Sequence, residues 1–208
     1  MDINILLFEG FETLDVFGPV ELLGEIEEYN LHYYSISGGI IGNRHGIRIE
    51  TMSIAAMNTK GILLVPGGMG TRGLVSDAAF LSALKSLSDE AEYCLSICTG
   101  SVLLGKCGAL DGRCATSNKL AMEWVKSVTT QVNWIERARW VVDGKFYTSS
   151  GVSAGMDMSL GFLRDRFGEV RANEVSSNIE YLWNRKIQRM TSENTNEMVL
   201  STLPPKFF

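Results

Sequence analysis

The chain of 208 residues is 45% hydrophobic and 21% charged, enough for one good-sized core and short for two, so a single domain is expected. Its 19 basic and 24 acidic residues give a net charge of −5 with no basic stripe, which argues against nucleic acid as a partner. No apolar run reaches the eighteen or so residues of a membrane span, and Met1-Asp2-Ile3-Asn4 lacks the basic start of a signal peptide, so a cytoplasmic protein without a membrane partner is expected.

The apolar run Ile3 to Phe8, followed by Glu9-Gly10, suits a first strand buried on both faces. Val16, Val20, Leu23 and Ile26 then recur at helical spacing, with Pro19 expected near the first turn because proline disrupts a helix interior. Asp15 falls where strand hands over to helix, at the edge where open α/β sheets gather their sites. It either complements the helix dipole or serves such a site. Leu31 to Ser37 reads as a second strand and residues 40–49 as a small hairpin with His45 at or near its tip. His32 and His45 are the chain's two histidines, and both read as structural or exposed rather than as a catalytic base.

Gly61 to Gly68 is another buried strand, ending Val65-Pro66-Gly67-Gly68 in a tight turn. A helix follows through Ala78, Leu81, Leu84 and Leu87. Then comes the stretch Tyr93-Cys94-Leu95-Ser96-Ile97-Cys98-Thr99-Gly100-Ser101, a strand passing through one cysteine straight into a helix that stops near Gly105 to Gly108. That join has the form of a nucleophile elbow, with small residues Ser96 and Gly100 two positions either side of Cys98. A helix N-terminus favours thiolate over thiol, so Cys98 is a candidate nucleophile with a lowered pKa. A buried, inert cysteine at a strand end is the alternative. Beside an elbow, the Gly68 and Thr99 N–H groups are candidate oxyanion-hole donors.

Residues 110–117 read as connecting structure and Leu120 to Val128 as a helix. Two strands meet at a tight Asp143-Gly144 turn. Gly151-Val152-Ser153 leads into a helix carrying Met156, Leu160, Leu163 and Phe167; Ser153 suits its N-cap, and the three small-loop residues, like Gly67, could line a pocket. From Val170 the pattern predicts helix to about Arg189, with Tyr181 and Trp183 as packing or dimer contacts, and a tail over residues 190–208. Cysteines at 94, 98, 107 and 114 lack paired C-x2-C spacing and are expected as free thiols, with no metal and no cofactor. The glycines also lack the spacing of a dinucleotide or phosphate loop. Strands alternating with helices imply an α/β fold with a mostly parallel sheet and helices on both faces.

Leu14-Asp15-Val16-Phe17-Gly18-Pro19, Val65-Pro66-Gly67-Gly68, Ser96-Ile97-Cys98-Thr99-Gly100-Ser101 and Gly151-Val152-Ser153-Ala154-Gly155-Met156-Asp157 together resemble the ThiJ/PfpI superfamily over about residues 1–187. Within it the chain is most similar to the isonitrile hydratase branch. The resemblance implies a flavodoxin-like three-layer sandwich over residues 1–189, a homodimer, and an active site of Cys98, Thr99 and Asp15 acting on a small-molecule substrate. It departs from the protease/amidase branch, which has histidine directly after the cysteine where this chain has Thr99. Sensor halves of some regulators share the pattern but continue into a DNA-binding portion, which this chain is expected to lack. A Cys-Asp site without histidine can add water to an isonitrile, with glyoxals, amides and esters as less specific fits. A non-catalytic thiol sensor of oxidants is the competing expectation.

Overall fold

The computed structural model describes residues 1–185 and the backbone of 188–189; the expected tail from 190 onward lies outside the described residues. The chain runs β1 (Asp2–Leu6), α1 (Thr13–Gly24), β2 (Asn30–Ser35), β3 (Gly39–Gly42), β4 (Arg48–Ser53), β5 (Ile62–Val65), α2 (Thr71–Leu74), α3 (Ala78–Glu90), β6 (Tyr93–Ser96) and α4 (Gly100–Lys106). It continues through β7 (Cys114–Ala115), α5 (Met122–Val128), β8 (Asn133–Trp134), β9 (Trp140–Asp143), β10 (Phe146–Ser149), α6 (Ala154–Phe167), α7 (Glu169–Asn178) and β11 (Gln188–Arg189).

Nine strands form one sheet in the order β11-β9-β10-β6-β5-β1-β2-β4-β3, parallel except where β3 meets β4 and β9 meets β10. Strands β1, β5 and β6 lie side by side at its centre, and Ile3, Ile5, Leu6, Ile62, Leu64 and Leu95 are fully buried, as the apolar runs require of strands covered on both faces. Helices α1, α6 and α7 pack together, and α2, α3 and α5 gather around α4, giving the flavodoxin-like three-layer sandwich. The strand order reverses at β1, with β2 leaving to one side and β5 to the other. That switch point opens a crevice at the strands' carboxyl ends, where the loops after β1, β5, β6 and β10 converge.

Three local readings are corrected. Pro19 lies well inside α1 instead of near its first turn, so the helix forgoes the hydrogen bond from residue 19 to the Asp15 carbonyl. Burial of Pro19 and packing of α1 on α6 offset that loss. Residues 110–117 are not merely connecting structure, because β7 pairs in parallel with β8 as a separate two-stranded sheet. Helix α7 stops at Asn178, well short of Arg189. Glu180 takes a left-handed φ of 53°, Tyr181 N–H donates to Ser176 O at 2.9 Å and Glu180 N–H to Ser177 O at 3.1 Å, a Schellman stop. The buried Asp157 carboxylate, paired with Arg139, then holds the segment by accepting from Tyr181 Oη at 3.1 Å and the Asn184 N–H at 2.7 Å. Tertiary anchoring therefore overrides the helical pattern, and Tyr181 packs within its own chain.

Candidate functional site

Cys98 follows β6 directly and has a φ of 56°, in the left-handed region that costs a non-glycine residue strain. The turn is locked from both neighbouring strands: Ile97 N–H donates to Val65 O at 3.1 Å, and Cys98 N–H points at Ser149 O and Ser150 O. Gly100 is required for closure, because a Cβ there would lie 2.3 Å from the Val65 carbonyl oxygen. The elbow expected at Ser96-Ile97-Cys98-Thr99-Gly100 therefore forms, with its strain stored at the cysteine.

Asp15, in the first turn of α1, is fully buried, and Gly67 N–H donates to its Oδ2 at 2.9 Å. The two loops are stitched by Glu12 N–H donating to Gly67 O at 2.8 Å. Burial raises the Asp15 carboxyl from 3.8 to about 7, and the nearby Glu12 charge adds to that rise. The Gly67 N–H, the Cys98 thiol and the Val152 N–H oppose it. Asp15 thus sits at the helix start and in the site at once.

Cys98 does not have the lowered pKa expected from its helix N-terminus. Burial pushes the thiol from 9.0 to about 12, and the Asp15 charge adds to the rise. Hydrogen bonding from Asn118, the Thr99 N–H and the Val152 N–H pulls the other way without overcoming it. The helix end contributes through one N–H, whereas removal from water acts on the whole charge. Asp15 and Cys98 consequently form a coupled pair in which the carboxyl gives up its proton first.

The Thr99 hydroxyl accepts from the Gly68 N–H at 3.1 Å and meets Thr71 Oγ1 at 3.1 Å. The Gly68 N–H, one of the two expected oxyanion donors, is thus engaged by the Thr99 hydroxyl, and the Thr99 N–H faces the sulfur. Gly68 is needed for its backbone: φ is 129°, and a Cβ would lie 2.4 Å from the Gly10 carbonyl oxygen. Of the loop after β10, Val152 lines the cavity over Cys98, while Gly151 abuts Asn118 and Ser153 turns outward. Ser153 stands at the N-cap position of α6 without bonding its N–H groups; its hydroxyl meets Arg139 at 3.4 Å. Val152 has a φ of 50°, a second strained residue in the site.

Asn118 is the residue that sequence reasoning missed. Its Nδ2 donates to Cys98 Sγ at 3.1 Å, while its Oδ1 accepts from the Leu120 and Ala121 N–H groups at 2.9 and 3.2 Å. An asparagine ahead of a helical pattern signals a cap. Nothing local signals that its other face reaches a cysteine twenty residues back.

A cavity of about 320 Å³ opens over the sulfur, lined by Cys98, Thr99, Asn118 and Val152, with Glu12, Arg44, Met69, Arg72 and Leu120 towards its mouth. Neither histidine touches Cys98: His32 faces Asp2 at 3.5 Å and His45 bonds Thr13 Oγ1 at 2.7 Å. Among the described residues no group of three or more His, Cys, Asp or Glu side chains converges as a metal site, and no helix is long and apolar enough to cross a membrane.

A parallel-sheet sandwich with a cysteine elbow facing a buried acid defines a class, and the DJ-1/PfpI family pattern matches residues 1–165 of this chain. The chain belongs to the DJ-1/PfpI family. It is 28% identical over 182 residues to isonitrile hydratase from Pseudomonas putida, covering 87% of this chain and 78% of that protein. It is also 28% identical over 181 residues to the HTH-type transcriptional regulator CdhR from Pseudomonas aeruginosa, covering 84% of this chain but 53% of the regulator. A ThiJ/PfpI family protein from Pseudomonas syringae superposes with a TM-score of 0.79 at 27% identity, over 86% of this chain and 74% of that one. Drosophila melanogaster DJ-1beta superposes with a TM-score of 0.74 at 17% identity, over 88% of this chain and 98% of that one. The family thus includes an isonitrile hydratase and regulators.

Proposed function

We propose that the chain is a cysteine-dependent hydratase of a small electrophile, with isonitriles as the substrate class and an N-substituted formamide as the product. The observation that carries this reading is the coupled pair itself: a buried carboxyl that titrates at about 7 beside an elbow thiol held by Asn118. With one proton between them, the pair can exist as thiol and carboxylate or as thiolate and carboxylic acid. In the second form the acid donates its proton to the isonitrile carbon as sulfur attacks that carbon, giving a thioimidate and leaving Asp15 as carboxylate. Asp15 then takes a proton from water as the hydroxyl adds. Returning that proton to nitrogen gives an adduct whose carbon bears both the hydroxyl and the sulfur. As the carbon–sulfur bond breaks, the hydroxyl proton passes by way of Asp15 to the departing sulfur, which releases the formamide and restores the one proton shared by the pair.

Thr99 is proposed as a catalytic neighbour through its N–H at the sulfur, and Gly67 as the group that fixes the Asp15 carboxyl. The 28% identity to an isonitrile hydratase supports the substrate class. The missing histidine after Cys98 weighs against amidase or protease chemistry of the kind that needs one. The burial of Cys98 weighs against an oxidant sensor, which depends on an exposed thiol. A homodimer belongs to the same proposal, supported by the family resemblance and testable by light scattering. The test of function is a panel of isonitriles, glyoxals, amides and esters with Cys98→Ala as blank. Formamide release from isonitriles alone supports the reading, and turnover confined to glyoxals, amides or esters overturns it.

A further inference from the structure

Two arginines reach the mouth of the cavity over Cys98, and their surroundings differ. Arg44 is neutralised by Glu12, with Nη2 and Oε2 3.1 Å apart. Arg72 makes no ion pair among the described residues; its guanidinium lies over the Trp124 ring, 3.4 Å from the centroid. Stacking holds the planar group by its face and leaves its N–H edges for a planar, doubly accepting anion. The base of this side chain is fixed as well. Thr71, directly before it, is fully buried, and its hydroxyl meets both Gly68 O at 2.7 Å and Thr99 Oγ1 at 3.1 Å at the elbow. Arg72 is therefore tied to the site on one side through Thr71 and on the other through Trp124 of α5, whose preceding turn carries Asn118.

We infer that Arg72 is a specificity-determining residue that binds a carboxylate on the substrate, so that the preferred substrate is a small electrophile with its reactive carbon at Cys98 and a carboxylate at the cavity mouth. Met69, Leu120 and Val152 supply apolar lining to the same cavity. The cavity volume of about 320 Å³ suits a molecule of that size. The inference rests on the proposal that Cys98 is the reacting group, but not on which electrophile it meets.

Alkylation of Cys98 in the full chain separates these points. Sulfur displaces iodide from either iodoacetate or iodoacetamide, the thiol proton leaving to Asp15 or solvent, and the two reagents differ in bearing a carboxylate or a neutral amide. Rates at Cys98 are read by peptide mass spectrometry for wild type, Arg72→Gln and Arg72→Lys. The expected result is that the iodoacetate-to-iodoacetamide rate ratio falls about five-fold in Arg72→Gln, as loss of a partly exposed charge-assisted contact implies. Arg72→Lys, which keeps the charge but loses the fork, should fall less. An equal ratio in wild type and Arg72→Gln overturns the inference while leaving the hydratase proposal to its own assay. A changed ratio without formamide formation from isocyanoacetate or its methyl ester keeps the anion site and discards the isonitrile. Absence of labelling at Cys98 by either reagent overturns the inference together with the reactive thiol on which it rests.

Discussion

Asn118 donates its amide N–H to Cys98 Sγ at 3.1 Å, and the direction of that amide is fixed because its oxygen already accepts from two backbone N–H groups at the start of the next helical turn. The sulfur therefore faces a donor, which favours the charged form against burial. Asn118→Asp keeps the cap and replaces the donor with an acceptor. The expected outcome is a higher Cys98 pKa and slower alkylation with little change in melting temperature. Asn118→Ala should lose the donor and the cap together, costing about 1 kcal/mol of stability as well. Thiolate absorbance and thermal melts on the two variants separate the contributions.

The pH dependence follows from the coupled pair. Below about 7 both Asp15 and Cys98 hold protons, so no group is available to take the thiol proton. Between about 7 and about 12 one proton is shared, which is the reactive state. Turnover per unit of free substrate is expected to rise with pH through about 7 and then level off, and stopped-flow or product assays from about pH 5 to about pH 9 check it. A profile flat across 7 would detach Asp15 from the chemistry.

Stability should move the opposite way. The folded Asp15 pKa is raised from 3.8 to about 7, so the native state binds the proton more tightly than the unfolded chain. Its contribution is fully present below 3.8 and is lost as pH rises through about 7. The loss is on the order of 4 kcal/mol at most for such a shift. Relative to Asp15→Asn, which does not titrate, wild type should lose melting temperature across that window and run parallel to it above.

Gly67 offers a backbone test of the same carboxyl. A Cβ there would lie 2.6 Å from Thr99 N and 2.9 Å from Asp15 Oδ2. Gly67→Ala should therefore displace Asp15 or the elbow and cost activity more than Gly73→Ala, whose Cβ would meet nothing within 4 Å. Equal activities in the two variants would remove the Gly67 clamp from the account.

The central strands and the elbow were legible because their information is local: apolar runs such as Ile3 to Phe8 admit few alternatives, and a strand–Cys–Thr–Gly–helix join is written in consecutive residues. Asp15 was legible as a strand-end acid, although its local pattern also fitted a helix-dipole role, and only the Gly67 contact and burial join the two. Asn118 and Arg72 were not, since each is placed by contacts distant in sequence: Thr116 N–H on Thr148 Oγ1 and Ser117 Oγ on Cys98 O seat the residues before Asn118, and Trp124 seats Arg72. The end of α7 was misread because Glu180 closes it against a buried Asp157 that periodicity does not report. The sign of the Cys98 shift was misread for a related reason: the elbow is visible in sequence, but the extent of burial that outweighs the helix end is not.

Formamide formation from cyclohexyl isocyanide, measured side by side for wild type, Cys98→Ala and Asp15→Asn, tests the central claim most directly. The account predicts turnover in wild type, none in Cys98→Ala, and a rate lower by about 10²–10⁴-fold in Asp15→Asn, roughly 3–5 kcal/mol of barrier, with all three proteins folded. Wild-type rates in Asp15→Asn, or formamide from Cys98→Ala, would contradict it.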